Sequence, residues 1–182
     1  MSTPGVKGAS ESGPGSRCDS IHPGPGRVIA GKYQLEGLLG EGGMGTVWRA
    51  THLTLCQQVA VKLILPELTD SAAARLRFDA EAKAAAALRS RFVVQTFDSG
   101  ITDDGVPYLV MEYLTGESLE ARVERQGPLS LEHAVQVVGQ VARGLARAHA
   151  QGIVHRDLKP ANVFLAQTED GEEVAKILDF GI

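Results

Sequence analysis

Ile153-Val-His-Arg-Asp-Leu-Lys-Pro-Ala-Asn-Val-Phe-Leu165 is the stretch from which the rest of the chain can be read. Two apolar ends, each able to form a short buried strand, bracket His155, Arg156, Asp157, Lys159 and Asn162. Polar and charged groups held between buried flanks are costly unless they find partners. A bland surface loop can carry such residues, but it does not need a hydrophobic anchor on both sides. Asp157, two residues before Lys159 and five before Asn162, offers a base, a cation and a metal-binding amide on one short loop.

Upstream, Pro128-Leu-Ser130 precedes a predicted long helix with apolar residues at Leu131, Ala134, Val135, Val138, Val141, Ala142 and Leu145, closed by Gly152. His133 and His149 fall on it and read as packing or surface histidines, with no clustered metal partner in the sequence. Downstream, Val163-Phe-Leu165 and Val174-Ala-Lys-Ile-Leu178 predict a hairpin around Thr168-Glu-Asp-Gly-Glu-Glu173, followed by Asp179-Phe180-Gly181.

Toward the N-terminus, Gly40, Gly42 and Gly45 make a G-x-G-x-x-G spacing, a weak signal in a chain with 21 glycines. In a dinucleotide site the third glycine opens a helix, with an acid about 20 residues on. Here Thr46-Val47-Trp48 continues as a strand, which predicts a strand–glycine turn–strand hairpin able to close over phosphates. The next strand, Val59-Ala-Val-Lys-Leu-Ile-Leu65, is apolar on both faces except for Lys62. Lys62 needs an anionic partner there; from this strand alone, an edge lysine reaching solvent is equally compatible.

Pro66 ends that strand, and Asp70 or Ser71 is placed to cap a helix running to about Arg89. Its apolar face reads Ala74, Phe78, Ala82, Ala85 and Leu88, with Glu81 on the same stripe. The odd carboxylate and the odd lysine resolve each other as a predicted Lys62–Glu81 ion pair. Arg91–Gly100 and Val106–Glu112 read as two further strands around an Asp103-Asp-Gly105 turn.

Residues 1–28 form a Gly/Pro/Ser-rich leader, with half of the eight prolines, and are expected to be disordered. Net charge of −4 gives no electrostatic footprint for nucleic acid. No apolar run approaches the ~20 residues that span a bilayer. Cys18 and Cys56, the two cysteines, make neither a metal site nor a disulfide framework, so a reducing cytoplasm is the expected compartment.

The quoted stretch matches the protein-kinase catalytic-loop pattern H-R-D-L-x-x-x-N position for position. With the glycine hairpin, the lysine strand and Asp179-Phe180-Gly181 in order, the chain resembles eukaryotic-like serine/threonine protein kinases. It is most similar to the bacterial members, through Gly-Gly-Met-Gly in the loop and Arg-Phe-x-x-Glu in the helix. The resemblance implies an α+β, two-lobed fold. Residues 29–114 would be a complete first lobe, a five-stranded antiparallel sheet plus one helix, with its hinge. Residues 115–182 would be the start of a helical second lobe. The pattern stops at D-F-G, so an incomplete catalytic domain is expected, with weak or no phosphotransfer from these 182 residues alone.

The resemblance also implies the chemistry. Serine/threonine hydroxyls of protein substrates would receive the γ-phosphoryl group of ATP in signalling, with Mg²⁺ held by Asn162 and Asp179. Lys62, fixed by Glu81, would grip the α and β phosphates, Lys159 would neutralise charge on the γ group, and Asp157 would accept the hydroxyl proton. Leu39, Gly40, Gly42, Gly43 and Gly45 would cover the nucleotide, and Val47, Ala60 and Phe164 would sandwich the adenine. Met111 would guard the pocket behind it, while the Glu112 carbonyl and Leu114 amide bind its edge. Lys159 favours serine/threonine over tyrosine acceptors, and Arg156 implies dependence on a phosphorylated activation loop. A non-catalytic nucleotide-binding fragment or regulator is the alternative.

Overall fold

The computed structural model describes residues 24–65 and 71–180, the side chain of residue 77 excepted. Expectations for the leader up to residue 23, Cys18, Pro66, Asp70, Gly181 and Ile182 lie outside the described residues.

The first lobe is an antiparallel sheet of six strands rather than five. They are β1 (Val28–Ile29), β2 (Tyr33–Gly42), β3 (Gly45–His52), β4 (Gln57–Ile64), β5 (Thr96–Ile101) and β6 (Pro107–Glu112), in the order β1-β2-β3-β4-β6-β5. The extra strand arises because the predicted first run reverses on itself. Ala30 (φ 48°) and Gly31 (φ 66°) adopt left-handed backbone, which sets Ile29 opposite Tyr33. Strand β4 keeps its predicted alternation: Val59, Val61 and Leu63 enter a core with Ile29, Leu35 and Trp48, while Ile64 faces the opposite side. There α1 (Ala72–Ala87) lays down Phe78 and Ala82. Ser71 caps α1 by accepting a hydrogen bond from the Ala74 amide (3.1 Å).

The predicted strand at 91–100 is corrected to Thr96–Ile101. Residues 92–94 leave the large sheet and bond to the second lobe, while Gln95 pairs with Glu112 at the end of β6. In the second lobe the strands β7 (Gly116–Ser118), β8 (Val163–Gln167) and β9 (Glu173–Ile177) form a small antiparallel sheet. Val94 donates to the Ile177 carbonyl and Ile177 to the Phe92 carbonyl, both at 2.9 Å. An apolar run reads alike whichever sheet it joins, so the sequence could not assign these residues.

Two helices complete the second lobe. Between β7 and the predicted long helix lies a further helix, α2 (Leu119–Gln126), beyond those the sequence predicts. Ser118 caps it, accepting from the Ala121 amide, and Gly127 (φ 81°) ends it. No residue of α2 is buried. Leu119 packs on the second-lobe core, Arg122 donates to Glu117 and to Glu173, and Arg125 donates to Glu117; Glu173 also pairs with His133 at 2.7 Å. The hydrogen bonds from Arg125 and then Arg122 hold the Glu117 carboxyl down at about 2, from an ordinary 4.5. A depressed carboxylate pKa contributes stability that is present above pH 4.5 and is lost as pH falls toward 2. The stability advantage of the wild type over Glu117→Gln should therefore shrink across that window in melting curves taken from pH 6 to pH 2.5.

The long helix is α3 (Leu131–His149), but its buried face differs from the predicted stripe. Val137, Val141, Gly144 and Ala148 are buried, whereas Leu131, Val135 and Val138 are 83%, 64% and 66% exposed. Gly144 decides the orientation, because its bare backbone lets β9 and Phe92 approach. A Cβ there would lie 2.9 Å from Ile177 Cδ1 and 3.0 Å from the Phe92 carbonyl oxygen. Gly144→Ala should cost about 1–3 kcal/mol by overpacking. Gly139→Ala on the same helix meets nothing within 4 Å and should be neutral or slightly stabilising. Thermal melts of the two variants check this.

Candidate active site

The chain between α3 and β8 carries His155, Arg156, Asp157, Lys159 and Asn162, and each of its apolar ends is anchored. Ile153 packs on the second-lobe core, and Val163 and Leu165 are part of it. Pro160–Asn162 forms one 3-10 turn against α2. His155 is buried; its Nε2–H donates to the Leu178 carbonyl (2.8 Å), so Nδ1 is the acceptor for the Asp157 amide at 3.3 Å. Phe180 packs on the same imidazole, with ring centroids 4.9 Å apart. His155 thus ties the loop to the segment that carries Asp179.

Asp157 stands at the solvent edge of this loop. Lys159 Nζ lies 2.8 Å from its Oδ2, and Asn162 Nδ2 donates to its carbonyl (2.8 Å) and its Oδ2 (3.1 Å). The Lys159 hydrogen bond, seconded by Asn162, holds the Asp157 carboxyl below the usual range, and Asp157 in turn holds Lys159 above its own. The pair stays doubly charged. Because Asn162 spends its amide N–H groups on Asp157, its oxygen is left for another partner.

Across from this loop the β2–β3 turn forms the roof. Gly45 (φ 140°) packs so closely on β4 that a Cβ would lie 1.9 Å from the Leu63 carbonyl oxygen. No other residue fits there. Roof and loop enclose a cleft of about 620 Å³. Of the residues predicted for the site, Gly40, Gly42, Gly43, Gly45, Val47, Lys62, Asp157, Lys159, Asn162 and Asp179 line it together. His155, Arg156, Glu41 and Met44 line it too and had been given no place in it. For His155 the signal was available: a polar ring directly after two apolar residues.

The remaining predicted residues stand around the cleft without lining it. Ala60 is buried on β4 opposite Met111 of β6, and Met111 packs on the Phe78 cluster. Glu112 ends β6 and Leu114 follows, half-buried. Phe164 lies on β8 opposite Lys176, and Leu39 is largely exposed.

The predicted Lys62–Glu81 ion pair is corrected. Lys62, with its side chain 6% exposed, pairs with Asp179 Oδ1 at 2.9 Å, and Glu81 lies 3.8 Å from Arg156 Nη1. Asp179 adopts left-handed backbone (φ 48°), as does Arg156 (φ 66°). One buried ammonium needs one close carboxylate. The sequence pointed to Glu81, the carboxylate that stands out on an apolar stripe, whereas Asp179 is the carboxylate that reaches the ammonium.

For a hard cation such as Mg²⁺ the residues present are a fit. Asp179 and Asn162 supply an oxygen each on one wall of the cleft, and Mg²⁺ commonly takes one or two carboxylates plus substrate phosphates. Among the described residues no cluster of three His, Cys, Asp or Glu side chains offers an all-protein metal cage.

A glycine roof, a buried lysine and an Asp–Lys–Asn loop thus surround one cleft, and the chain belongs to the protein kinase family. The Protein kinase domain model matches residues 33–182. The chain is 40% identical over 157 residues to the serine/threonine-protein kinase Pkn3 of Myxococcus xanthus, covering 86% of this chain and 29% of that protein. It is 40% identical over 166 residues to PknA of Mycobacterium tuberculosis, covering 89% and 38%. Among solved structures it resembles the Mycobacterium tuberculosis PknI kinase domain, with TM-score 0.78 and 30% identity over 88% of this chain and 64% of that one. The chain thus spans less than two fifths of these two relatives. Among the described residues no helix is long and apolar enough to cross a membrane.

Proposed function

We propose that these residues form the nucleotide-binding and catalytic-loop portion of a serine/threonine protein kinase that transfers the γ-phosphoryl group of ATP to protein hydroxyls. The observation that carries this reading is the Asp157–Lys159–Asn162 constellation facing Lys62 and Asp179 across one cleft. Phosphoryl transfer passes through a loose transition state, so the protein's work is positioning and electrostatics.

In this mechanism the backbone N–H groups of Gly40–Gly45 cover the phosphates, and the glycines let the roof come close. Lys62 Nζ supplies positive charge to the α and β phosphates, where Asp179 holds it. Asn162 Oδ1 and Asp179 would hold Mg²⁺, which would supply positive charge to screen the phosphates. Asp157 is kept ionised by Lys159 and so orients the acceptor hydroxyl and takes its proton late, as a weak base. Lys159 swings between Asp157 and the γ-phosphate. Val47, Ala60 and Phe164 take the adenine, with Met111 behind it, and Glu112 and Leu114 offer backbone groups to its edge. Nothing here requires Glu81 to touch Lys62. The names of the relatives, with Lys159 beside Asp157, favour serine and threonine acceptors.

The test is incubation of the intact protein with γ-labelled ATP, Mg²⁺ and a generic protein substrate. Label recovered as phosphoserine or phosphothreonine supports the reading. Nucleotide binding with no transfer would instead favour a non-catalytic nucleotide binder.

A further inference from the structure

Glu112 is the last residue of the large sheet before the chain crosses to the second lobe, and its contacts exceed what a hinge residue needs. Its amide donates to the Gln95 carbonyl at 2.9 Å. Its Oε1 accepts from the Gln95 amide (2.8 Å) and from Lys176 Nζ (2.7 Å), and its Oε2 accepts from the same ammonium at 2.9 Å. The two side chains are only 16% and 23% exposed, so this is not a loose surface pair.

Lys176 belongs to β9 and sits directly opposite Phe164 in the β8–β9 ladder, so the two side chains share one face of the small sheet. Gln95 lies in the segment that bonds to β9 through Val94. One ammonium therefore fixes the hinge carboxylate to the second lobe and flanks the aromatic ring expected beneath the adenine.

We propose that Lys176 is the positioning residue for the base end of the nucleotide. By clamping Glu112 it fixes the peptide plane whose carbonyl meets the adenine edge, and through β9 it sets that edge against Phe164. Phosphate binding, at the other end of the cleft, does not depend on it. The inference rests on the nucleotide reading above.

The test compares binding of ADP and of inorganic tripolyphosphate to the intact wild-type, Lys176→Met, Lys176→Arg and Lys62→Met proteins. Lys176→Met should weaken ADP about tenfold, the worth of one hydrogen bond, and leave tripolyphosphate within twofold. Lys176→Arg should recover most of the ADP affinity, since it restores a donor pair to the carboxylate. Lys62→Met should weaken both ligands. Should Lys176→Met fail to fold because Glu112 is left as an unpaired charge, Lys176→Met with Glu112→Gln removes both charges and should show the same ADP-selective loss. Equal weakening of both ligands, or no change in ADP affinity, would overturn the proposal. ADP affinity unchanged in Lys62→Met would locate the failure in the nucleotide reading instead.

Discussion

The Asp157→Asn protein is expected to bind nucleotide as the wild type does and to lose phosphotransfer by about 10²–10⁴-fold, the usual worth of a positioned general base. The substitution is nearly isosteric, and Asp157 stands at the open edge of the cleft, so no core packing is disturbed. Its backbone carbonyl, which accepts from Asn162 Nδ2, is unchanged, so the 3-10 turn should hold. What disappears is the charge that Lys159 and Asn162 now engage, and with it the proposed acceptor for the hydroxyl proton. Single-turnover transfer beside ADP titration separates the two effects. Transfer within tenfold of wild type would remove Asp157 from the mechanism.

Lys62→Met should act in the opposite place. Methionine fills the lysine's buried volume, and Asp179, about a third exposed, can be hydrated when its partner goes. The stability loss should therefore be about 1–2 kcal/mol, below the 3–5 kcal/mol of a fully buried broken pair. Nucleotide affinity should fall far more in proportion, by roughly ten- to a hundredfold, because two phosphates lose a cation inside a walled cleft. Glu81→Gln supplies the contrast. Since Glu81 faces Arg156 rather than Lys62, that variant should leave nucleotide affinity within about threefold, the scale of a weak, exposed pair. A loss with Glu81→Gln equal to that with Lys62→Met would show that the two side chains work as one unit in solution.

The sites of these two predictions were legible to different degrees. Asp157, Lys159 and Asn162 lie within six residues, and a loop that short brings them together whatever surrounds it. The glycine roof was legible as well, because the strand-forming residues after Gly45 exclude a helix there. Lys62 was recognisable as a buried cation from the alternation of β4, and the structure buries it. Its partner was not, since Glu81 and Asp179 are 19 and 117 residues away and only the tertiary arrangement brings one of them within 2.9 Å of the ammonium. The same limit applied to α3, where helical periodicity offers several apolar stripes and the bare Gly144 selects the one that meets β9.

The sequence by itself determined the local chemistry: a glycine hairpin that can approach phosphates, a lysine on a covered strand, and a loop with base, cation and amide in register. These follow from φ/ψ limits, strand alternation and the reach of a few residues, all short-range. The tertiary structure alone decided the long-range pairings. It gave Lys62 to Asp179, sent residues 92–94 to the second lobe, and brought Lys176 to Glu112 from 64 residues away. Such choices are small differences between alternative burials of like charges and like apolar runs, which no short window of residues contains.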